Sequence, residues 1–402
     1  MSNFLAITNA QILGGGTSLL IEGDRIAGID LPIPADASTL DAKGAIVAPG
    51  LVDLGVFSVD KRACIAGGIT RVALMPDQTP VLDVPGIVQR AALAAKPDLW
   101  VHPLAAATKG LEGRELGEVA MMRKAGARAI ATGRHWIADS GVMMKVMAYA
   151  ASLNMTLISH AEDGGLAGNA VATSGEIASR LGLASAPAEA EAIAIARDLM
   201  LAELTGVRLH FRKVTTARGL DMVRAAKAKG LPVSCGISPT HLFLSEVAIH
   251  DFRTFALLSP PLRSEADRQA CLAAITDGTI DVLCSAHDPR GPEAKRLPFA
   301  DADPGAAGAE TLLALALGLV RDGRINMARL FDLLAANPSR LLGLDSGQIT
   351  PGAPADLVVF DPETPWQIDA AKFVGQAGNT PFDKLPVQGR VKALLKGGRL
   401  LG

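Results

Sequence analysis

The chain is expected to fold as an α/β protein, a (β/α)8 TIM barrel carrying a small β-sandwich built from both chain ends. Three observations predict it. From Leu51 onward, eight short apolar runs alternate with helical patterns, which favours a closed barrel over an open sheet. Residues 1–48 and 345–402 instead carry short β-type runs separated by tight glycine turns. The 402 residues are 49% hydrophobic and 20% charged, a balance that fills a large core and argues against disorder. The expected division is a discontinuous sandwich, 1–48 with 345–402, beside a barrel spanning 49–344.

Taken in order, the first sandwich strands fall at residues 4–8 and 18–21, with turns at Gly14-Gly15-Gly16 and Gly23-Asp24. The barrel strands are placed at 51–57, 70–75, 99–104, 128–132, 155–159, 207–214, 232–236 and 281–286. Asp139 or Ser140 can cap a helix whose apolar face is Val142, Met143, Val146, Met147 and Ala150. A second helix is expected over 186–204, capped by Ser185 and stopped by Gly206, and a third from about Leu220 to Gly230. Residues 311–320 are too few to cross a bilayer and predict a buried helix. In the tail, 355–360 and 391–395 complete the sandwich.

Net charge is −2 with no extended Lys/Arg run, so neither nucleic acid nor an anionic membrane is an expected partner. Four scattered cysteines form no Cys-x-x-Cys pair and predict reduced, buried thiols in a cytoplasmic protein. The N-terminus lacks a basic segment followed by an apolar run, so secretion is not expected. In the pairs Met121-Met122 and Met143-Met144, one residue should face outward.

Several segments occur in a telling order: Pro49-Gly50-Leu51-Val52-Asp53-Leu54, Ala66-Gly67-Gly68-Ile69-Thr70 and Met75-Pro76-Asp77-Gln78-Thr79-Pro80. Thr108-Lys109-Gly110-Leu111-Glu112-Gly113, His160-Ala161-Glu162-Asp163, Pro260-Pro261-Leu262-Arg263 and Pro351-Gly352-Ala353-Pro354-Ala355-Asp356 follow. As an ordered set spanning nearly the whole chain, they resemble the dihydroorotase family of the amidohydrolase superfamily. The resemblance implies the amidohydrolase type of barrel. It also implies a divalent metal that acidifies water and polarises an amide carbonyl, and a carboxylate that moves the proton.

Position by position, the chain departs from what that resemblance implies. The two histidines of a His-x-His pair fall on Gly55 and Phe57. The fourth-strand ligand, an Asp or a modified Lys, falls on Thr132, with Arg134 close by. His160 keeps the fifth-strand ligand, whereas Lys213 stands in for the sixth-strand histidine and His210 lies deeper. The catalytic carboxylate position is Ala286, followed by His287-Asp288-Pro289-Arg290. A catalytic zinc needs about three protein ligands. One imidazole does not supply them, so no catalytic residue and no metal are expected. Only Ser58-Val59-Asp60-Lys61-Arg62 follows the first strand, too short for the family's substrate-gripping Arg loop, and Asp77 would repel an anionic substrate.

Asp77, Arg134, Glu162, Asp163 and His287 are the residual pocket candidates, with Lys213 and Arg134 free to pair with Asp77, Glu162 or Asp163. A displaced metal set drawn from His135, His160, Glu162, Asp163, His287 and Asp288 is the competing possibility, though isolated histidines more often pack or hydrogen-bond. His241 is expected to orient a loop. The resemblance extends to non-catalytic relatives that associate with aspartate carbamoyltransferase. The leading expectation is therefore an inactive structural or regulatory partner of that enzyme in pyrimidine synthesis, as a homodimer or larger hetero-oligomer. The alternative is an active zinc-dependent cyclic amidohydrolase of dihydroorotase, allantoinase or hydantoinase type.

Overall fold

The computed structural model describes residues 3–401. Eight parallel strands run around the barrel in chain order. They are β1 (Leu51–Val56), β2 (Ile69–Leu74), β3 (Trp100–Ala106), β4 (Ala129–Ala131), β5 (Leu157–Ser159), β6 (Leu209–Phe211), β7 (Val233–Ile237) and β8 (Val282–Leu283). Every residue of β1 and β2 is buried, because the barrel interior covers one face and the helices cover the other. The interior is filled by Val52, Leu54, Ala73, Leu104, Ile158 and Val282 among others.

The seam between β8 and β1 is closed by a side chain and a loop. The buried Asp53 carboxylate on β1 accepts from the Ser285 amide at 2.9 Å and from its hydroxyl. The Phe57 amide donates to His287 O at 2.9 Å. Burial raises the Asp53 pKa, and the two Ser285 bonds act against that rise.

The outer helices have local causes. Asp139 caps Ser140–Ser152 by accepting from the Val142 amide at 2.8 Å, and Met143, Val146, Met147 and Ala150 are buried. Met144 and Met121 face outward while Met122 is buried. The helix expected over 186–204 starts later, at Glu189, and runs to Thr205. Pro187 disfavours helical dihedrals at Ala186, so Ser185–Ala186 instead forms a short parallel pair with Ala172–Thr173. Gly206 ends the helix in the left-handed region at φ 68°, as its place in the sequence predicts. The helix expected from Leu220 begins at Ala217, because the Thr216 hydroxyl caps it through the Gly219 amide.

Both chain ends build the second layer. One sheet holds Phe4–Thr8, Leu19–Glu22, Arg25–Ile29 and Ser38–Asp41; the other joins Gln11–Ile12 and Ile46–Pro49 to Leu357–Gln367, Pro386–Lys396 and Arg399–Leu401. Ile7, Leu19, Ile21, Val47, Leu357 and Leu395 share its core. The two tail strands are longer than the sequence suggests. A register irregularity between Asp361 and Pro365 carries the prolines through a pairing that Pro362 would otherwise end. The barrel meets the sandwich closely at Gly68, where a β-carbon would lie 2.8 Å from a Val358 methyl. Among the described residues, no helix is long and apolar enough to cross a membrane, and the four cysteines are free and buried.

Candidate functional site

The C-terminal strand ends form the barrel mouth, where a barrel of this kind carries its chemistry. At the end of β1 the pairing with β2 shifts register between Leu54 and Val56, leaving Gly55 at φ 90°. That left-handed backbone suits glycine and strains any other residue. Phe57 is buried, and its ring is covered by two guanidiniums, Arg134 at 3.6 Å and Arg212 at 5.0 Å from the centroid. Such contacts contribute roughly 0.5–2 kcal/mol each.

After β4, the Thr132 hydroxyl accepts the His160 amide at 3.0 Å, a bond that joins adjacent strand ends. Gly133 turns at φ 83°, and a β-carbon there would stand 2.8 Å from Asp77 Oδ1. This close turn lets the Arg134 amide donate to Asp77 Oδ1 at 2.8 Å. The Arg134 side chain reaches elsewhere. It grips Asp288 bidentately, Nη1 to Oδ2 at 2.7 Å and Nη2 to Oδ1 at 3.0 Å. The expected pairing of Arg134 with an Asp77 carboxylate is thus corrected: Asp77 takes the backbone, and Asp288 takes the charge.

His160, at the end of β5, has both ring nitrogens engaged. Arg212 Nη2 lies 3.1 Å from Nδ1, and since a guanidinium can only donate, Nδ1 accepts. Nε2 then carries the proton and faces Glu162 at 3.5 Å. Burial and the Arg212 charge lower the His160 pKa against the pull of Glu162, which agrees with a neutral ring. Burial opposes ionisation of Glu162, but its bond from His160 and the Arg263 guanidinium at 3.2 Å hold it at about 2.

Lys213 is buried after β6, and its ammonium donates to the Ser259 carbonyl. Burial and the adjacent Arg212 charge bring it down to about 7. The expected pairing of Lys213 with Asp77, Glu162 or Asp163 is corrected accordingly: its hydrogen-bond partner is a main-chain oxygen. Asp163 leaves the pocket set too, since it caps Gly164–Ala167 through the amides of Gly165 and Leu166. After β8, Ala286 adopts φ 51°. His287 accepts the Gly308 and Ala309 amides at Nδ1, both at 3.3 Å, and turns Nε2 toward Asp60 at 3.8 Å. His210 lies deeper, against Ser234 at 2.9 Å, and His135 is exposed. His241 joins the Ser238 hydroxyl to Pro260 O, spanning the loop after β7.

The residues at the mouth do not fit a hydrolytic metal. The side chains of Gly55, Phe57 and Ala286 offer no lone pair, and the lone pair of His160 Nδ1 is taken by Arg212. Among the described residues, no group of three or more His, Cys, Asp or Glu is placed to hold an ion. What occupies the mouth is side-chain cation: Arg134, Arg212 and Lys213. Arg212 and Asp53 were missed from sequence. The signal available for Arg212 was a pair of adjacent cations, Arg212-Lys213, closing an apolar strand. Three buried atoms near this network lack a hydrogen-bond partner: Asp77 Oδ2, Arg212 Nε and His287 Nε2.

Comparison with known proteins gives the lineage. Residues 44–218 match the family model described as dihydro-orotase-like. The chain is 36% identical to a dihydroorotase of Syntrophotalea carbinolica over 98% of both chains. It is 37% identical to a dihydroorotase-like protein of Pseudomonas aeruginosa over 95% of this chain and 94% of that one. Among solved structures, the L-hydantoinase of Arthrobacter aurescens superposes with a TM-score of 0.87 at 24% identity, covering 100% of this chain and 96% of that one. That likeness shows the (β/α)8 barrel with its added sheet domain. The chain belongs to the dihydroorotase-like family.

Proposed function

We propose that this family member is non-catalytic and acts as a structural or regulatory partner of aspartate carbamoyltransferase. The observation that carries the first half is the Arg212–His160 hydrogen bond. A guanidinium holds the acceptor nitrogen of the one retained ligand, and Arg134 lies over Phe57 where a second ligand would stand. Metal-assisted hydrolysis needs a bound water made acidic and a carboxylate to shuttle its proton. Ala286 supplies no such carboxylate. The partner half rests on resemblance to non-catalytic relatives, and a cytoplasmic, oligomeric state is proposed with it.

The test has two arms. Purified protein, incubated with zinc and dialysed, is expected to hold far less than one zinc per chain and to leave dihydroorotate unhydrolysed. Co-expression with the transferase is expected to yield a complex whose transferase activity falls when this chain is omitted. Normal transferase assembly and activity without the chain would sink the partner role.

A second reading is favoured by a specific observation: relatives 36% and 37% identical over most of the chain are named dihydroorotase. On that reading the protein is an active cyclic amidohydrolase requiring zinc. Stoichiometric zinc with chelator-sensitive turnover would establish it and overturn the first.

A further inference from the structure

Outside the mouth, the loops after β7 and β8 meet the segment 370–379 around a cleft of about 760 Å³. Four cations line it, Arg253, Arg290, Lys295 and Arg296, and no Asp or Glu does. Phe252, Phe255 and Phe373 supply its apolar wall. Phe252 is steadied by edge-on packing against the buried Phe299, with ring centroids 6.4 Å apart.

The state of these charges matters more than their number. Among the described residues, Arg253 and Arg296 enter no ion pair. Lys295 is 4% exposed, yet its ammonium meets only main-chain oxygens, Thr254 O at 2.9 Å and Leu257 O at 3.4 Å. Burial, then the neighbouring Arg290, lowers it to about 8. Arg290 alone is engaged, with Asp288 at 3.2 Å and Asp303 at 3.6 Å.

Two other hollows give the contrast. Near Trp100, Arg71, Lys396, Arg399 and Arg25 pair with carboxylates while Arg128, among the described residues, does not, and Asp24, Asp345 and Asp356 share the same lining. At the opposite end of the barrel, Arg123, Arg128 and Arg208 line a hollow with no aromatic wall. The cleft beside β7 and β8 joins two unpaired arginines to three phenylalanines with no carboxylate in its lining. Its size is that of a small-molecule site. Loops after the seventh and eighth strands are also where (β/α)8 barrels commonly hold phosphate.

We propose that this cleft binds a small phosphate monoester carrying an apolar or aromatic body. A phosphate brings close to two negative charges and three acceptor oxygens, matching several arginines better than one carboxylate would. The three phenylalanines receive the rest of the molecule. The cleft meets the mouth network through Arg290 and Asn379, which contact Asp288, and none of Arg134, His160, Arg212 or Lys213 lines it, so it does not depend on whether the mouth is catalytic.

Isothermal titration of the full chain with phenyl phosphate, in a buffer free of phosphate and sulfate, tests this. One saturable site per chain is expected, with inorganic phosphate at least tenfold weaker and phenol not bound. The double variant Arg253→Gln with Arg296→Gln removes two unpaired surface charges and should weaken binding at least tenfold while leaving the melting temperature near that of the parent. Arg123→Gln with Arg208→Gln, in the other cationic hollow, should leave affinity unchanged. If the first variant misfolds, Phe373→Ala replaces it with the same expected loss. Three results would overturn the assignment: no saturation at millimolar phenyl phosphate, undiminished binding in the cleft variants, or inorganic phosphate binding as tightly as the ester. A short acidic peptide bearing a phenylalanine that binds where phenyl phosphate does not would likewise reject it.

Discussion

Two buried ionic clusters sit at opposite ends of the barrel and are built to different standards. At the junction with the sandwich, Asp356 uses its whole carboxylate. Oδ2 takes Arg71 Nη2 at 2.6 Å and Nε at 2.9 Å, and Oδ1 takes Lys396 Nζ at 2.8 Å and the Gly397 amide at 2.9 Å. The excess positive charge is softened by the Trp100 face, 5.2 Å from Arg71 and 4.6 Å from Lys396. At the mouth, Asp77, Arg212 and His287 each leave a buried polar atom without a partner. A satisfied network rigidifies, whereas orphaned polar atoms carry a desolvation cost that packing alone does not explain. The junction therefore serves to lock two layers together. The mouth is a strand-end opening closed by the charges at hand.

The comparison breaks most directly at Asp356. Asp356→Asn leaves Arg71 and Lys396 buried without their counter-charge and is expected to destabilise by roughly 3–5 kcal/mol. Urea unfolding measures it. A loss below about 1 kcal/mol would show that the junction is no better built than the mouth.

Glu162 comes next. It is held at about 2 against an ordinary 4.5, so its contribution is fully present above the ordinary value and is lost as pH falls through that interval toward 2. Glu162→Gln should therefore flatten the acid limb of the stability profile, a difference of a few kcal/mol at neutral pH that vanishes near pH 2. An unchanged limb would mean that the His160–Glu162–Arg263 chain does not hold the carboxylate.

The frame was legible in sequence and the closure of the mouth was not. Eight apolar runs locate eight strands because a strand buried on both faces needs no tertiary information to be recognised. That Gly55, Phe57 and Ala286 bring no ligating side chain to the mouth was equally legible, since none carries one in any fold. Pairing was not. Arg134 finds Asp288 rather than Asp77 across 154 positions of sequence, a choice set by where β8 ends relative to β4. Lys213 beside a carbonyl and Asp163 in a helix cap are likewise decided by local backbone geometry. The late start of the helix at Glu189 had a visible cause in Pro187, whereas the long tail hairpin hid behind Pro362.

Lys213 sharpens the comparison from the other side, because here removing a charge should help. Its folded pKa, about 7, lies below the ordinary 10.5, so the unfolded chain binds more protons between these values and stability rises with pH across them. Lys213→Met keeps the length of the side chain and removes the buried charge. It should stabilise by roughly 1–4 kcal/mol below pH 7 and abolish that rise. Thermal unfolding from pH 6 to 10 reads both effects. A destabilised variant would mean that the bond to Ser259 outweighs the desolvation of the ammonium.

The smallest effect is expected at Arg134, and it distinguishes a closed mouth from a working one. The side chain is 26% exposed, and Asp288 keeps Arg290 at 3.2 Å if Arg134 is removed. Arg134→Ala should therefore cost only about 1 kcal/mol, the value of a partly exposed ion pair with one aromatic contact. It also uncovers Phe57 without restoring any ligand, so zinc content should stay far below one per chain. Adding Phe57→His supplies a second imidazole near His160, yet Arg212 still holds the acceptor nitrogen of His160 and Gly55 remains at a backbone angle that disfavours a third. The double variant should hold no stoichiometric zinc either. If it does, the Arg212–His160 bond yields to a metal, and the mouth is one or two side chains away from a hydrolytic site.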